Sequence, residues 1–133
     1  MTNKELIDFA KKGMQNAYTP YSNFKVGAAV LVDDGTVFTG CNIENASYGA
    51  TICAERTAMV KAVSEGYTHF KKIAIVSSGN FFTYPCGICR QFMTEFMKDG
   101  IVVLEDKEEG IKEFSLEELL PNGFTNDDLK TQK

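Results

Sequence analysis

The sequence predicts an α/β fold: a three-layer α/β/α sandwich around a mixed sheet of about five strands, in a single domain over residues 1–133. Three observations predict it. Segments with apolar residues at helical spacing alternate with short runs rich in Val, Ile and Ala, and such alternation places helices on the faces of a sheet. A chain of 133 residues can bury one core and is too short for two ordinary domains. Its 44% hydrophobic and 24% charged residues are a globular balance, not a disordered one.

The elements follow in order. Thr2 and Glu5 have the spacing of a capping box, and Leu6, Ile7, Phe9, Ala10, Met14 and Ala17 form an apolar stripe behind it, ended by Pro20. Residues 25–32, KVGAAVLV, read as a buried strand. Asp33, Asp34 and Gly35 read as a turn, and residues 36–41, TVFTGC, return as the second arm of a hairpin. Residues 42–51 show no clean period. From Ile52 to Glu65 the apolar spacing is helical, and Gly66 stops it. Residues 73–76 form a strand, a loop runs to Pro85, and a helix from Cys86 to Lys98 is closed by Gly100. Residues 101–104 and 111–114 are two further strands, and Ser115 with Glu118 repeats the capping-box signal before Leu119.

Charge and cysteine usage exclude several function classes. The net charge is −4, the lysines are scattered, and the dense charge run, Glu105–Glu109, is mainly acidic. Proteins that grip a polyanionic backbone show a basic face, so no nucleic-acid partner is expected. No apolar run is long enough to span a bilayer. The first fourteen residues, MTNKELIDFAKKGM, lack the apolar stretch and cleavage site of a secretory leader. A cytoplasmic protein is the expectation, and there a C-x-x-C pair favours metal or redox chemistry over a structural disulfide.

Two stretches carry that chemistry: TICAER, residues 51–56, and YPCGICRQ, residues 84–91. Cys53 opens one predicted helix, while Cys86 and Cys89 fall in the first turn of the next. Helix N-termini present unpaired N–H groups that stabilise thiolate over thiol. If both N-termini lie at one sheet edge, two helices deliver three thiolates to one point. Three thiolates suit zinc, one ion per chain, with a fourth position left for water. The alternatives from spacing alone are a structural zinc with a fourth ligand, and redox or inert thiols. Cys41 and His69 are the available fourth ligands; the first reads most simply as core packing and the second as a loop residue. Glu55, two residues after Cys53, is placed near the ion without binding it, where a carboxylate moves protons. Its plain alternative is a first-turn glutamate favouring the helix dipole. Three thiolates on a divalent cation leave a net negative charge. Arg56 is the preferred outer partner to offset it, and Arg90 is the other candidate.

These residues resemble a known family. CAE at 53–55 with PCGIC at 85–89 is similar to the zinc-dependent deaminase signature, with a non-ligand Glu as acid and base. YTPYSNFKVGAA at 18–29, GCNIENA at 40–46 and CAERTA at 53–58 resemble the cytidine deaminases of the short homotetrameric kind, essentially to LLPNGF at 119–124. A Cys as first ligand matches that kind. The resemblance implies hydrolysis of cytidine and 2′-deoxycytidine to uridine and 2′-deoxyuridine with release of ammonia, in pyrimidine salvage. It implies zinc-bound hydroxide attacking C4 and Glu55 carrying the protons. It implies that Cys53, Cys86 and Cys89 hold the ion. It further implies that Phe24 packs on the pyrimidine, that Asn42 and Glu44 hold the ribose hydroxyls, that the Ala54 main chain meets the base edge, and that Phe124 closes a neighbouring subunit's pocket. Tyr84 departs from the pattern, because smaller residues are common before that proline.

Overall fold

The computed structural model describes residues 1–130; residues 131–133 of the expected domain lie outside the described residues. The first helix, α1 (Asn3–Met14), begins with the predicted capping box: Glu5 N–H donates to the Thr2 hydroxyl at 3.1 Å, and Thr2 N–H donates to the Glu5 carboxylate at 2.9 Å. Leu6, Ile7 and Ala10 are buried, whereas Phe9 is partly exposed. The helix stops before Ala17 for a tertiary reason. Tyr18 N–H donates to Asn42 C=O, and Tyr18 C=O accepts from Glu44 N–H, so the chain is already committed to pairing with residues 42–44.

Strands β1 (Val26–Val32) and β2 (Val37–Cys41) form the predicted hairpin, with Gly27 opposite Cys41 and Leu31 opposite Val37. Gly35 takes φ 93° in its turn, where a side chain would be strained. Strands β3 (Phe70–Ser77), β4 (Ile101–Asp106) and β5 (Gly110–Ser115) complete one sheet in the order β2-β1-β3-β4-β5. Only β3 and β4 pair in parallel, and α3 (Gly87–Phe96) makes their crossover, as parallel neighbours require.

Alternation along the strands divides the core. Ala28, Val30 and Val32 of β1 join a cluster with Ala54, Ala58, Met59 and Ala62 of α2 (Ala54–Ser64) and with Cys89 and Met93 of α3. Ala29, Ala74, Val76 and Val103 face the other way and pack under α1. The sheet therefore lies between α1 on one face and α2 and α3 on the other, the predicted three layers. Two glycines set the layer spacing. A Cβ on Gly27 would lie 2.2 Å from Ala10 O of α1, and one on Gly40 would lie 2.4 Å from Ala58 N of α2.

The segment between β2 and α2, where no period was legible, holds a short 3-10 turn at Tyr48–Ala50 and a bridge between Ile43 and Ile52. That bridge takes Ile52 out of the predicted helix, which starts at Ala54. At the C-terminal side, α4 (Leu116–Leu119) carries the Ser115–Glu118 capping box, and α5 (Asn126–Lys130) was not foreseen. Strands β2 and β3 both run antiparallel to β1, so their C-terminal ends share one sheet edge. The segments leaving those ends lead to the N-termini of α2 and α3.

Candidate active site

At that edge the N-cap residue of α2 is Cys53 and that of α3 is Cys86, and neither side chain makes a capping hydrogen bond. N-caps are usually oxygen-bearing residues that satisfy an orphan N–H; here both positions carry sulfur turned to another use. Cys89, in the first turn of α3, is fully buried. The three Sγ atoms lie within 4.8 Å of one another, and Cys53 and Cys86 are 3.7 Å apart. Thiolates bound tetrahedrally at about 2.3 Å from zinc stand about 3.8 Å from each other, so the donor set fits zinc in chemistry and in size. The predicted convergence of two helix N-termini is thus present.

The spare ligands are elsewhere. Cys41 ends β2 outside the cluster, with its thiol pKa raised by burial. His69 pairs with Asp33 at 2.7 Å on the exposed surface. All four cysteines are free. Three protein ligands remain, which is the pattern of a site that keeps an open position.

The two arginines separate. Arg56 Nη2 donates to Cys53 Sγ at 3.3 Å, because a residue three positions past the cap returns to it after one turn. Its Nε is buried without a hydrogen-bond partner. Arg90 instead donates from Nε to Pro85 C=O and from Nη1 to Leu119 C=O, both at 2.7 Å. It fastens α4 to the loop before α3 and does not reach the sulfurs by hydrogen bond. In the metal-free cluster, hydrogen bonds from Cys89, Arg56 and Cys86 hold the Cys53 thiol down at about 5. Cys89 shifts upward, through its bond to Cys53 and its burial. The unequal pair describes one thiolate shared by hydrogen bonds, the state a divalent ion would replace.

Glu55 is only 5% exposed, and burial foremost raises its pKa to about 7, with the Cys53 charge adding to the rise. A carboxyl group poised there can both take and give a proton near neutrality. It lines a hollow of about 190 Å³ together with Cys53, Ala54, Cys86, Asn42 and Tyr84. Val26, Thr51 and Thr83 complete the lining; sequence reasoning missed all three. Beside it lies a second hollow of about 270 Å³ with Tyr21, Ser22, Glu44 and Tyr48 in its wall. Thr51 belongs to both, so the two hollows adjoin.

The chain matches the family model described as the cytidine and deoxycytidylate deaminase zinc-binding region over residues 1–105. It is 46% identical over 127 residues to a cytidine deaminase of Sporosarcina psychrophila, covering 95% of this chain and 93% of that one. The chain belongs to the cytidine deaminase family. A cytidine deaminase of Halalkalibacterium halodurans is 48% identical over 130 residues, covering 97% of this chain and 98% of that one. The crystal structure of cytidine deaminase from Burkholderia pseudomallei superposes with a TM-score of 0.88 at 48% identity, covering 93% of this chain and all of that one. As a member of this family, the chain is a zinc-dependent hydrolytic deaminase with a three-cysteine group positioned for one metal ion.

The remaining predicted site residues stand around the two hollows rather than all within them. Asn42 accepts from Val26 N–H and donates to Phe24 C=O, each at 2.9 Å. Glu44 accepts from the main-chain N–H groups of Tyr21 and Ser22 at 2.9 and 3.1 Å, and from the Ser22 hydroxyl. These bonds hold its pKa below the usual carboxylate value, the Ser22 hydroxyl contributing most. Phe24 stacks on Phe81 at 6.1 Å and lines neither hollow. Phe124 is half exposed, with its main chain clasped by the Gln91 amide of α3; it does not close the hollow of its own chain. No described helix is long and apolar enough to cross a membrane.

Proposed function

We propose that this enzyme hydrolyses cytidine and 2′-deoxycytidine to uridine and 2′-deoxyuridine with release of ammonia, as a single cytoplasmic deaminase domain serving pyrimidine salvage. One observation carries the reading: a buried Glu55 beside three convergent thiols, at a hollow of about 190 Å³ that adjoins a second of about 270 Å³ with Ser22 and Glu44 in its wall.

The zinc ion held by Cys53, Cys86 and Cys89 supplies, when bound, a Lewis acid that makes a water acidic enough to serve as nucleophile near neutrality. Glu55 then accounts for both proton movements. It takes one proton from the attacking water and delivers it to ring N3, which makes C4 a better electrophile. After the oxygen has bonded to C4, Glu55 takes the second proton from that oxygen and gives it to the departing amine. The C4–N bond breaks, ammonia leaves, and N3 keeps its proton in the uridine product. Arg56 holds Cys53 as thiolate and offsets the negative charge of the ligand set.

Asn42 and Glu44 each retain acceptor capacity beyond their loop bonds, and Asn42 retains a second amide hydrogen. They can therefore serve the sugar hydroxyls while pinning the segment that leads through Phe24 into β1. Among the described residues no Lys or Arg lines either hollow, and a buried phosphate without positive partners is costly. Nucleosides are accordingly the substrates, in preference to their 5′-monophosphates by orders of magnitude. The test is the fall in cytidine ultraviolet absorbance with purified protein, before and after chelation, run beside cytidine 5′-monophosphate and a cytosine-containing oligonucleotide. Chelator-sensitive turnover of cytidine alone supports the reading. Equal efficiency on the monophosphate or turnover of the oligonucleotide overturns it.

A further inference from the structure

Tyr84 is left unused by the mechanism, although it lines the reaction hollow. It is held there by rings. Its centroid lies 5.4 Å from Phe114 of β5 and 6.4 Å from Phe82, and those two rings stand 5.9 Å apart. Tyr84 is 47% exposed, and the two neighbouring rings limit the directions in which its own ring can turn.

The hollow is built from two segments that meet at the thiols, 51–55 and 83–86. A pyrimidine places N3 and C5 on opposite sides of C4. With C4 at the thiols and N3 toward Glu55 on the first segment, C5 turns to the second segment, where Thr83 and Tyr84 stand. We propose that Tyr84 is a specificity-determining residue, whose ring bounds the space beside C5 and excludes cytosine nucleosides with alkyl groups on that carbon. This rests on the deaminase reading above and adds the shape of substrate it admits.

The test compares kcat/KM for cytidine, 5-methylcytidine and 5-ethylcytidine. The unsubstituted enzyme should lose about tenfold or more on adding the methyl group, since one misfitted methylene in a pocket changes discrimination by roughly 10–200-fold, and should lose more with ethyl. Tyr84→Ala should raise the 5-methylcytidine to cytidine ratio by about tenfold, and Tyr84→Phe should leave that ratio unchanged because the ring volume is kept. A merely structural role would lower both substrates together and leave the ratio where it was. An unchanged ratio in a folded Tyr84→Ala enzyme that still turns over cytidine overturns the proposal alone. Equal use of the three nucleosides by the unsubstituted enzyme overturns it without any variant. Failure of the unsubstituted enzyme to deaminate cytidine overturns the underlying reading and this proposal with it.

Discussion

At the scale of single residues, burial and hydrogen bonding decide which charge state each group holds. Glu55 has a folded pKa near 7, above its ordinary 4.5. The folded metal-free protein therefore binds a proton that the unfolded chain has released between those values, and Glu55 lowers stability as pH rises through that window. Cys53 acts in the opposite sense, because its folded pKa of about 5 lies below the ordinary 9, so its contribution grows as pH rises past 5. Comparing metal-free Glu55→Gln with the unsubstituted protein isolates the first effect. The variant's melting temperature should gain on the parent's from about pH 4.5 to pH 7, and a constant difference across that range would refute the assignment. With zinc restored, the same variant should keep its metal and lose about 10²–10⁴-fold in turnover. For Arg56→Ala, loss of the hydrogen bond to Cys53 should move the midpoint of acid-driven zinc release to higher pH, read by chelator competition. The thiols and Glu55 were legible in the sequence because zinc chemistry restricts residue type and because each lies at a predicted helix start. Arg56 and Arg90 were not separable by adjacency to a ligand. Helical spacing does not separate them either, since Arg56 lies three residues past the N-cap Cys53 and Arg90 four past the N-cap Cys86; the position of Leu119 C=O, which draws Arg90 away, is tertiary information.

At the scale of elements, the site depends on where two helices begin, and that depends on how closely each lies on the sheet. Alanines 54, 58 and 62 of α2 are buried, and Gly40 of β2 leaves room for the helix main chain above it. Gly40→Ala would place a Cβ 2.4 Å from Ala58 N and 2.5 Å from Ala54 O, so α2 must shift, taking Cys53 and Glu55 with it. We expect a loss of about 1–3 kcal/mol in stability together with weakened zinc binding. Gly27→Ala meets α1 instead, at 2.2 Å from Ala10 O, on the face away from the thiols. It should destabilise without changing the zinc affinity of the folded protein. Thermal melts paired with zinc titrations separate the two, and equal metal affinity in both variants would refute the coupling of α2 to the site. The hairpin, the crossover helices and both capping boxes could be read from spacing because local preference and tertiary packing agree there. Residues 42–52 could not, because their structure comes from pairing Tyr18 with Ile43 and Ile43 with Ile52, contacts between segments with no period of their own. Thr51 and Thr83 line the hollow from such stretches and were missed for the same reason.

At the scale of the whole molecule, the chain exposes several large apolar side chains around its site. Tyr18, Tyr21, Ile43, Tyr48 and Ile52 are all exposed, Tyr48 at 74%, and they come from the segments that build the two hollows. Clustered exposure of this kind marks an interaction surface, and closed symmetric assemblies of identical chains are the usual way to cover one. Phe124 fits the same logic. Gln91 clasps its main chain on both sides, donating to its C=O at 2.7 Å and accepting from its N–H at 3.1 Å, yet the ring is 52% exposed. A ring held on a fixed mount and left without a pocket of its own suits closure of a neighbour's hollow. The expected assembly is a homotetramer, measured as a four-chain mass by light scattering. If the ring encloses substrate in a neighbouring chain, Phe124→Ala should raise KM for cytidine several-fold while leaving the zinc content at one ion per chain, since the thiol cluster does not include it. Specific activity should also fall on dilution below the range in which the four-chain mass persists. A monodisperse single chain with full activity at assay concentration would refute the assembly and, with it, the role of Phe124 as a lid in trans.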